Sequence, residues 1–561
     1  MPRLLAALIF VLLAGPASAL SPDEVWRLGQ KGLIERPEGQ AESRESIAER
    51  LAAAEQLLPL LSSPSLELRA GAIEALGKLG GPALEAPLRA KLVDEAPAAR
   101  AEAALALFRL RFLKRIPEYS TATVSALSSA MQDGSPEVRQ AAAYSFSRFA
   151  EPRAAEQLSS ATTDADEFTR LFAWRALGQL GKDAPFAASD VAKEPSARVR
   201  AEALRALGLA KRAELIPAAL GADKSPHVRT AFADALAADG DAALAPALDA
   251  IATKDSAMAR AAVALASAKL RPERAKETLS AARRDPSWWV RSRAFGASED
   301  PEVLEPAVRD ADLRVASSAL EALGKLAGER SAAALERVLL DPQAPLELLG
   351  TAAEAAGEKA ESRFAPALLV AARAKAAADY PELSDQIVAA CKKIAAKHPD
   401  AACPKAPEPP SRYWTLRGPA PKPARIALST ERGEVVLELA AAAAPTHAAA
   451  MLESVKKKLY DGTVWHRVVT NFVVQGGDPR GSGWGDAGFM LRDELNRLRF
   501  TRGALGMPRA GPDTGGCQLF ITHTPTPHLD GRYTVFGRVV SGMDAVDRLA
   551  PGDRIIKARL K

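Results

Sequence analysis

Residues 465–478 set one arginine, Arg467, among aromatic and aliphatic side chains and a glutamine, Gln475, and residues 516–521 repeat the theme with Gln518 and Phe520. An apolar surface carrying one guanidinium and two carboxamides suits a proline ring and the peptide bond before it. Rotation about a peptide bond faces a barrier of ~18–20 kcal/mol, because resonance gives the C–N bond double-bond character. At an Xaa-Pro bond both isomers are accessible, yet they exchange in tens of seconds or longer. In the twisted transition state the proline nitrogen regains a lone pair. A guanidinium aimed at it then helps selectively, while fixed hydrogen bonds to the flanking carbonyls orient the chain. Such a step needs no proton transfer, nucleophile, metal or nucleotide, and no motif for a cofactor is evident.

Strands must hold these residues. After Ala424 the periodicity turns alternating: residues 425–430 and 434–439 make a predicted hairpin about Glu431-Arg432-Gly433. An amphipathic helix is expected over 446–459, and short strands over 464–469, 472–476, 519–522 and 535–540. A last helix near 543–549 and a closing strand over 554–560 complete the pattern. Many short strands with few helices predict a closed β-barrel capped by helices over residues 425–561.

Five ordered blocks carry a family resemblance. They are Tyr460-Asp461-Gly462-Thr463-Val464-Trp465-His466-Arg467, Phe472-Val473-Val474-Gln475-Gly476-Gly477-Asp478-Pro479, Arg502-Gly503-Ala504-Leu505-Gly506-Met507, Gln518-Leu519-Phe520-Ile521-Thr522 and Leu529-Asp530-Gly531-Arg532-Tyr533-Thr534-Val535-Phe536-Gly537. Through them nearly the whole segment from Arg425 to Leu560 resembles the cyclophilin family of peptidyl-prolyl isomerases. The resemblance implies a substrate cleft on the barrel face, with Arg467 as the catalytic arginine and Gln475 and Gln518 contacting substrate or steadying it. It also implies that Phe472, Val473, Phe520 and Leu529 line the proline pocket, Val473 standing for the more usual methionine. Pro508-Arg509-Ala510 departs from the family's Ala-Asn-Ala, so Arg509 and Ala510 form an altered substrate-facing edge. His528 takes a tryptophan's position and Tyr533 a histidine's, and weak cyclosporin binding is expected.

Other motifs read as structural. Gly481-Ser482-Gly483-Trp484-Gly485 lacks the strand-to-helix setting of a phosphate loop and is expected to be a surface loop. His523 and His528 lack nearby carboxylate or thiolate partners apart from Asp530, which disfavours zinc. Strand alternation turns His466 away from the face of Arg467. The charge of +5, from 74 basic and 69 acidic residues, comes without a dense basic run, so nucleic-acid binding is not supported.

At 561 residues the chain exceeds one core, and the alanine-rich first 400 residues are a different kind of protein. There an apolar or small residue followed by arginine opens each of nine alanine-rich amphipathic runs, at Arg69, Arg100, Arg139, Arg170, Arg200, Arg229, Arg260, Arg291 and Arg314. These fall 31, 39, 31, 30, 29, 31, 31 and 23 residues apart, the period of a helix pair. Glycine is expected to close the helices, as at Gly77 and Gly208, and Asp-Gly-Ser-Pro and Lys-Ser-Pro to start two of them. Stacked pairs share a core that no single pair can form, predicting an α-solenoid that resembles short HEAT-like repeats over roughly 45–395. The arginines are expected to pair with carboxylates or helix-end carbonyls of neighbouring repeats rather than bind anions, since Asp133, Asp223, Asp255 and Asp285 recur ahead of them. The 39-residue spacing implies an insertion near 111–120, the 23-residue spacing a truncated repeat near Asp300, and Leu349 stands where the next arginine would fall. Trp288-Trp289 reads as packing in preference to an exposed anchor.

Residues 1–19 read as a secretory signal, with Arg3, an apolar run and Ala17-Ser18-Ala19, so export is expected, to the periplasm in preference to the medium, with no later membrane span. Cys391 and Cys403 flank the end of the helical region, where a disulfide and two free thiols are both open, while Cys517 is expected to be a small buried side chain. Eight prolines between His398 and Ala424 make residues 396–424 a linker between the solenoid of 20–395 and the barrel, interrupted by Tyr413-Trp414. The expectation is an exported isomerase acting on proline-containing polypeptide clients, with a protein partner or client held on the solenoid. Its rival is a non-catalytic proline-binding module on an envelope scaffold.

Overall fold

The computed structural model describes residues 20–33, 42–186, 191–252, 255–405, 413–415 and 421–561. The expected leader and much of the proline-rich segment lie outside them. The chain divides into a first unit up to residue 189 and a second from residue 190.

The first unit is built of helix pairs. Helices Leu66–Leu79, Pro97–Phe112, Pro136–Phe146 and Glu167–Leu180 supply its core, where Tyr144 sits edge-on to both Phe108 and Phe172 at 4.9 Å. Gly77 does not end its helix. It marks a crossing, where a Cβ would come within 2.6 Å of the Ala106 backbone. Small side chains let the helices approach closely, which is why alanine and glycine dominate the repeat. Arg69, Arg100 and Arg139 each donate through Nε to Asp94, Asp133 and Asp164 of the following repeat, at 2.9, 2.7 and 2.8 Å. Each also donates through Nη1 to a carbonyl six residues back, at 2.7, 2.9 and 2.9 Å. The ladder ties each repeat to the next.

In the second unit the ladder continues, with Arg200 on Asp223 at 2.8 Å and Arg260 on Asp285 at 2.9 Å. It loosens at Arg291, 3.9 Å from Asp310, and Arg314 pairs within its own turn, with Asp312 at 2.7 Å. Here too glycines are crossings: Cβ atoms at Gly208, Gly324 and Gly357 would meet Ala235, Ala355 and Ala390 at 2.6, 2.7 and 2.8 Å. Cys391 and Cys403 are disulfide-bonded, clipping the segment after helix Pro381–Lys397 back onto it. Trp288 is half-buried, its ring under the Arg314 guanidinium at 4.0 Å and its Nε1 against Gly552 of the barrel. Among the described residues no helix is long and apolar enough to cross a membrane.

The barrel is one antiparallel sheet of β1 (Arg425–Thr430), β2 (Gly433–Leu439), β3 (Arg467–Val469), β4 (Val473–Gly476), β5 (Ala504–Gly506), β6 (Leu519–Thr522), β7 (Val535–Ser541) and β8 (Ile555–Leu560), in the order β3-β4-β6-β5-β7-β2-β1-β8. Its ends meet before β3 and β8, where Trp465 N–H donates to Asp553 O and Ile555 N–H to Thr463 O, both at 2.8 Å. Inside lie Ile426, Leu437, Trp465, Val474, Ile521 and Phe536. Helix Pro445–Lys456 caps it. β5 adds a strand that the sequence pattern does not display, since its three residues are too few to show alternation. Tyr413 and Trp414 dock on the barrel at Met490, whose carbonyl accepts the Trp414 N–H at 2.8 Å.

Candidate active site

Strand register builds the site. The turn between β3 and β4 places Asn471 in the left-handed region at φ 59°, which asparagine tolerates better than most residues. The pairing that follows sets Arg467 opposite Gln475, and Gln475 opposite Phe520. Alternation then sends Arg467, Val473, Gln475 and Phe520 to one face, with Gln518 two residues before Phe520, while Val468, Val474, Leu519 and Ile521 fill the interior. Val473, Phe500, Ala504, Phe520, Leu529 and Val535 cluster as an apolar floor against which Phe472 and Tyr533 pack. β5 makes room for it: a Cβ on Gly506 would lie 2.2 Å from the Phe520 ring.

Over this floor opens a cavity of about 400 Å³. Arg467, Phe472, Val473, Gln475, Arg509, Ala510, Gln518, Phe520, Leu529 and Tyr533 all line it. His528 does not. Carried on the short turn Pro527–Leu529, its ring stacks on Phe472 at 5.6 Å and 24°. Arg509 lines the wall, but its guanidinium is drawn to Asp493 at 3.1 Å and Arg532 O at 2.7 Å and lies over Tyr533. The Ala510 N–H is taken by Thr514 Oγ1 at 2.9 Å.

The polar groups form a chain. Arg467 lies 5.9 Å from the Phe472 ring centroid and directs Nη1 toward Gln475 Oε1 at 3.4 Å. Gln475 Nε2 donates to Gln518 Oε1 at 3.0 Å, and Gln518 Nε2 donates to the carbonyls of Gly483 and Gly485 at 2.8 and 3.1 Å. Desolvation in the cleft lowers the Arg467 pKa from its ordinary value, but an arginine stays charged. Two buried neighbours are held in their neutral forms. Burial pushes His466 down to about 4 and Cys517 up to about 12. Both ring nitrogens of His466 are buried without a hydrogen-bond partner.

The glycine-rich segment is not the plain surface loop expected. Gly477, Gly481 and Gly483 adopt positive φ of 80°, 66° and 92°, and the chain winds round the fully buried Asp478 carboxylate. That carboxylate accepts the N–H groups of Arg480, Ser482 and Gly483 at 2.7, 2.9 and 2.5 Å. Gly483, Trp484, Gly485 and Asp486 thereby reach the cleft. The glycine spacing was a visible signal for this loop. Nothing in the sequence pointed to Tyr380 and Glu382, which also line the cavity. His523 is buried, down at about 4 through burial, and faces Val546 O and the His227 ring. Among the described residues no three His, Cys, Asp or Glu side chains gather as a metal site.

The barrel and the repeats each resemble known proteins. The family signature described as cyclophilin type peptidyl-prolyl cis-trans isomerase/CLD matches residues 425–559, and that of HEAT repeats matches 54–118 and 124–207. Peptidyl-prolyl cis-trans isomerase-like 1 of Gibberella zeae is 44% identical over 129 residues, which is 22% of this chain and 80% of that protein. Peptidyl-prolyl cis-trans isomerase B of Bacillus subtilis is 40% identical over 136 residues, 24% of this chain and 95% of that protein. A crystal structure of a Cryptosporidium parvum cyclophilin type isomerase matches 25% of this chain and 98% of its own, at 27% identity and a TM-score of 0.24.

Proposed function

Because this chain belongs to the cyclophilin-type peptidyl-prolyl cis-trans isomerases through its barrel domain, we propose that Arg467 catalyses rotation about Xaa-Pro bonds of exported polypeptides that the helical repeats hold near the cleft. The observation that carries the catalytic part is the cross-strand row of Arg467, Gln475 and Phe520 over an apolar floor. A proline ring rests on Phe520, Val473 and Leu529. The preceding amide then lies within reach of the guanidinium, whose charge favours the pyramidal nitrogen of the twisted state over the planar ground state. Gln475 steadies the guanidinium, and Gln518 steadies Gln475.

Client holding is supported by the fusion itself. A chain bound to the repeats meets the cleft at an effective concentration that a tether can raise to the millimolar range. Export is supported by the leader-like residues 1–19 and by the Cys391–Cys403 disulfide, which suits an oxidising compartment.

Refolding of an unfolded protein limited by a slow proline step, compared with exchange in a proline tetrapeptide, tests the combined reading. The gain per mole of enzyme should be larger for the long client, and Arg467→Ala should abolish both gains. Equal gains on both substrates would remove the holding role.

A further inference from the structure

The hydrogen-bonded chain that steadies Arg467 does not end in the barrel. Arg480, in the loop wound around Asp478, donates through Nε and Nη2 to the two oxygens of Glu347, both at 2.7 Å, and Ser482 Oγ donates to Glu347 Oε1 at 2.9 Å. Glu347 belongs to the helical array. It lies in the first turn of helix Leu346–Lys359 and is 2% exposed, at a helix end that favours negative charge. One turn on, Trp484 of the same loop lies on Gly350, where a Cβ would meet the indole at 2.6 Å. The arginine ladder of the array has lapsed at Leu349, and here an arginine from the barrel joins the array instead.

We propose that the helical array is a working part of the isomerase site, with Glu347 the positioning residue that fixes the loop of residues 478–485 and, through Gln518 and Gln475, the direction of Arg467. The inference rests on the isomerase reading of the cleft. The physical reason lies in the loop. Its glycines give the backbone wide conformational freedom, and Asp478 holds only its N–H groups. The carbonyls of Gly483 and Gly485, which fix the Gln518 amide, take their placement from the docking of Arg480, Ser482 and Trp484. If that docking is lost, Gln518 loses its acceptors, Gln475 loses its orientation, and Arg467 keeps its charge but not its aim. Catalysis is sensitive to displacements of about 1 Å, whereas grip on a short peptide by the apolar floor is less so. The defect therefore falls on kcat.

The test uses the full chain and two-dimensional exchange NMR on a proline tetrapeptide. Glu347→Ala should lower kcat about tenfold with KM within about twofold, and Glu347→Gln, which keeps an acceptor for Arg480, should recover part of the loss. Gly350→Ala approaches the same loop from the other side. Alanine favours the helix, so a lower kcat there reports displacement of Trp484. The double variant should lose less than the product of the single losses, because both act through one path. Wild-type kcat in both Glu347→Ala and Gly350→Ala overturns the proposal. Should Glu347→Ala fail to fold, wild-type kcat in Gly350→Ala alone overturns it. Equal rates for wild type and Arg467→Ala overturn the isomerase reading, and the proposal with it; a rate lost in Arg467→Ala but kept in the array variants overturns the proposal alone.

Discussion

At the cleft the role proposed for the Arg467 guanidinium is to favour the lone pair of the twisted proline nitrogen, a step without proton transfer, and the amides of Gln475 and Gln518 are placed to steady it. Removing one preorganised donor of this kind costs about 10²–10³ in rate. Gln518→Leu, which leaves Arg467 present but breaks the chain behind it, should cost less, about tenfold in kcat/KM on a short peptide, and an unchanged value would show that the chain is idle. His466 makes a different prediction. Its ordinary value is 6.5, and burial lowers it to about 4 in the fold. The unfolded chain therefore binds the proton first as pH falls, and stability is lost from 6.5 down toward about 4. Because neither ring nitrogen has a partner, His466→Phe should retain the pH 7 melting temperature and lessen the drop between pH 6.5 and 4.5, measured by thermal denaturation. A steeper drop would contradict this. His528, which stacks on Phe472 outside the cavity, offers the cleft no indole, so low-nanomolar inhibition by cyclosporin would contradict the weak binding expected.

Among the elements, two kinds of glycine and one aspartate ladder decide the architecture. Gly485 lies so close to Asp478 that a Cβ would stand 1.8 Å from the carboxylate. Gly485→Ala should therefore unseat the loop and depress isomerisation, as exchange NMR would register; full activity would mean that the loop is dispensable. In the ladder, the Arg100 hydrogen bond holds the Asp133 carboxyl below its ordinary value of 3.8. That stabilisation is present above the ordinary value and is lost as pH falls below it. Asp133→Ala should cost about 1.5–3 kcal/mol in chemical denaturation at pH 7, and a negligible cost would return the arginines to an anion-binding role. The ladder was legible because arginine and aspartate recur at a fixed period. The helical glycines were legible as repeated but misread as stops, since a crossing glycine and a capping glycine look alike until the next helix is in place. β5 was hidden by its three residues. The reach of residues 481–485 depended on a buried aspartate and a distant glycine, Gly350, which no local pattern connects.

On the scale of the whole molecule, helical repeats and an isomerase share one chain, and the second unit holds the later repeats and the barrel together. Tyr380 and Glu382 of the array line the cleft, so part of the cleft's surface comes from outside the barrel. Five sequence blocks made the isomerase domain recognisable, because the strands that carry them must keep fixed register to aim Arg467, Gln475 and Phe520 at one point. The array's contribution to the cleft was not legible, since it depends on how unrelated helices dock. The most direct measurement is exchange NMR of cis and trans signals in an Ala-Pro tetrapeptide, with the full chain and its Arg467→Ala variant at catalytic concentration. The wild type should speed exchange strongly and the variant should lose at least about a hundredfold of that effect. Equal exchange in both samples would contradict an isomerase built around Arg467.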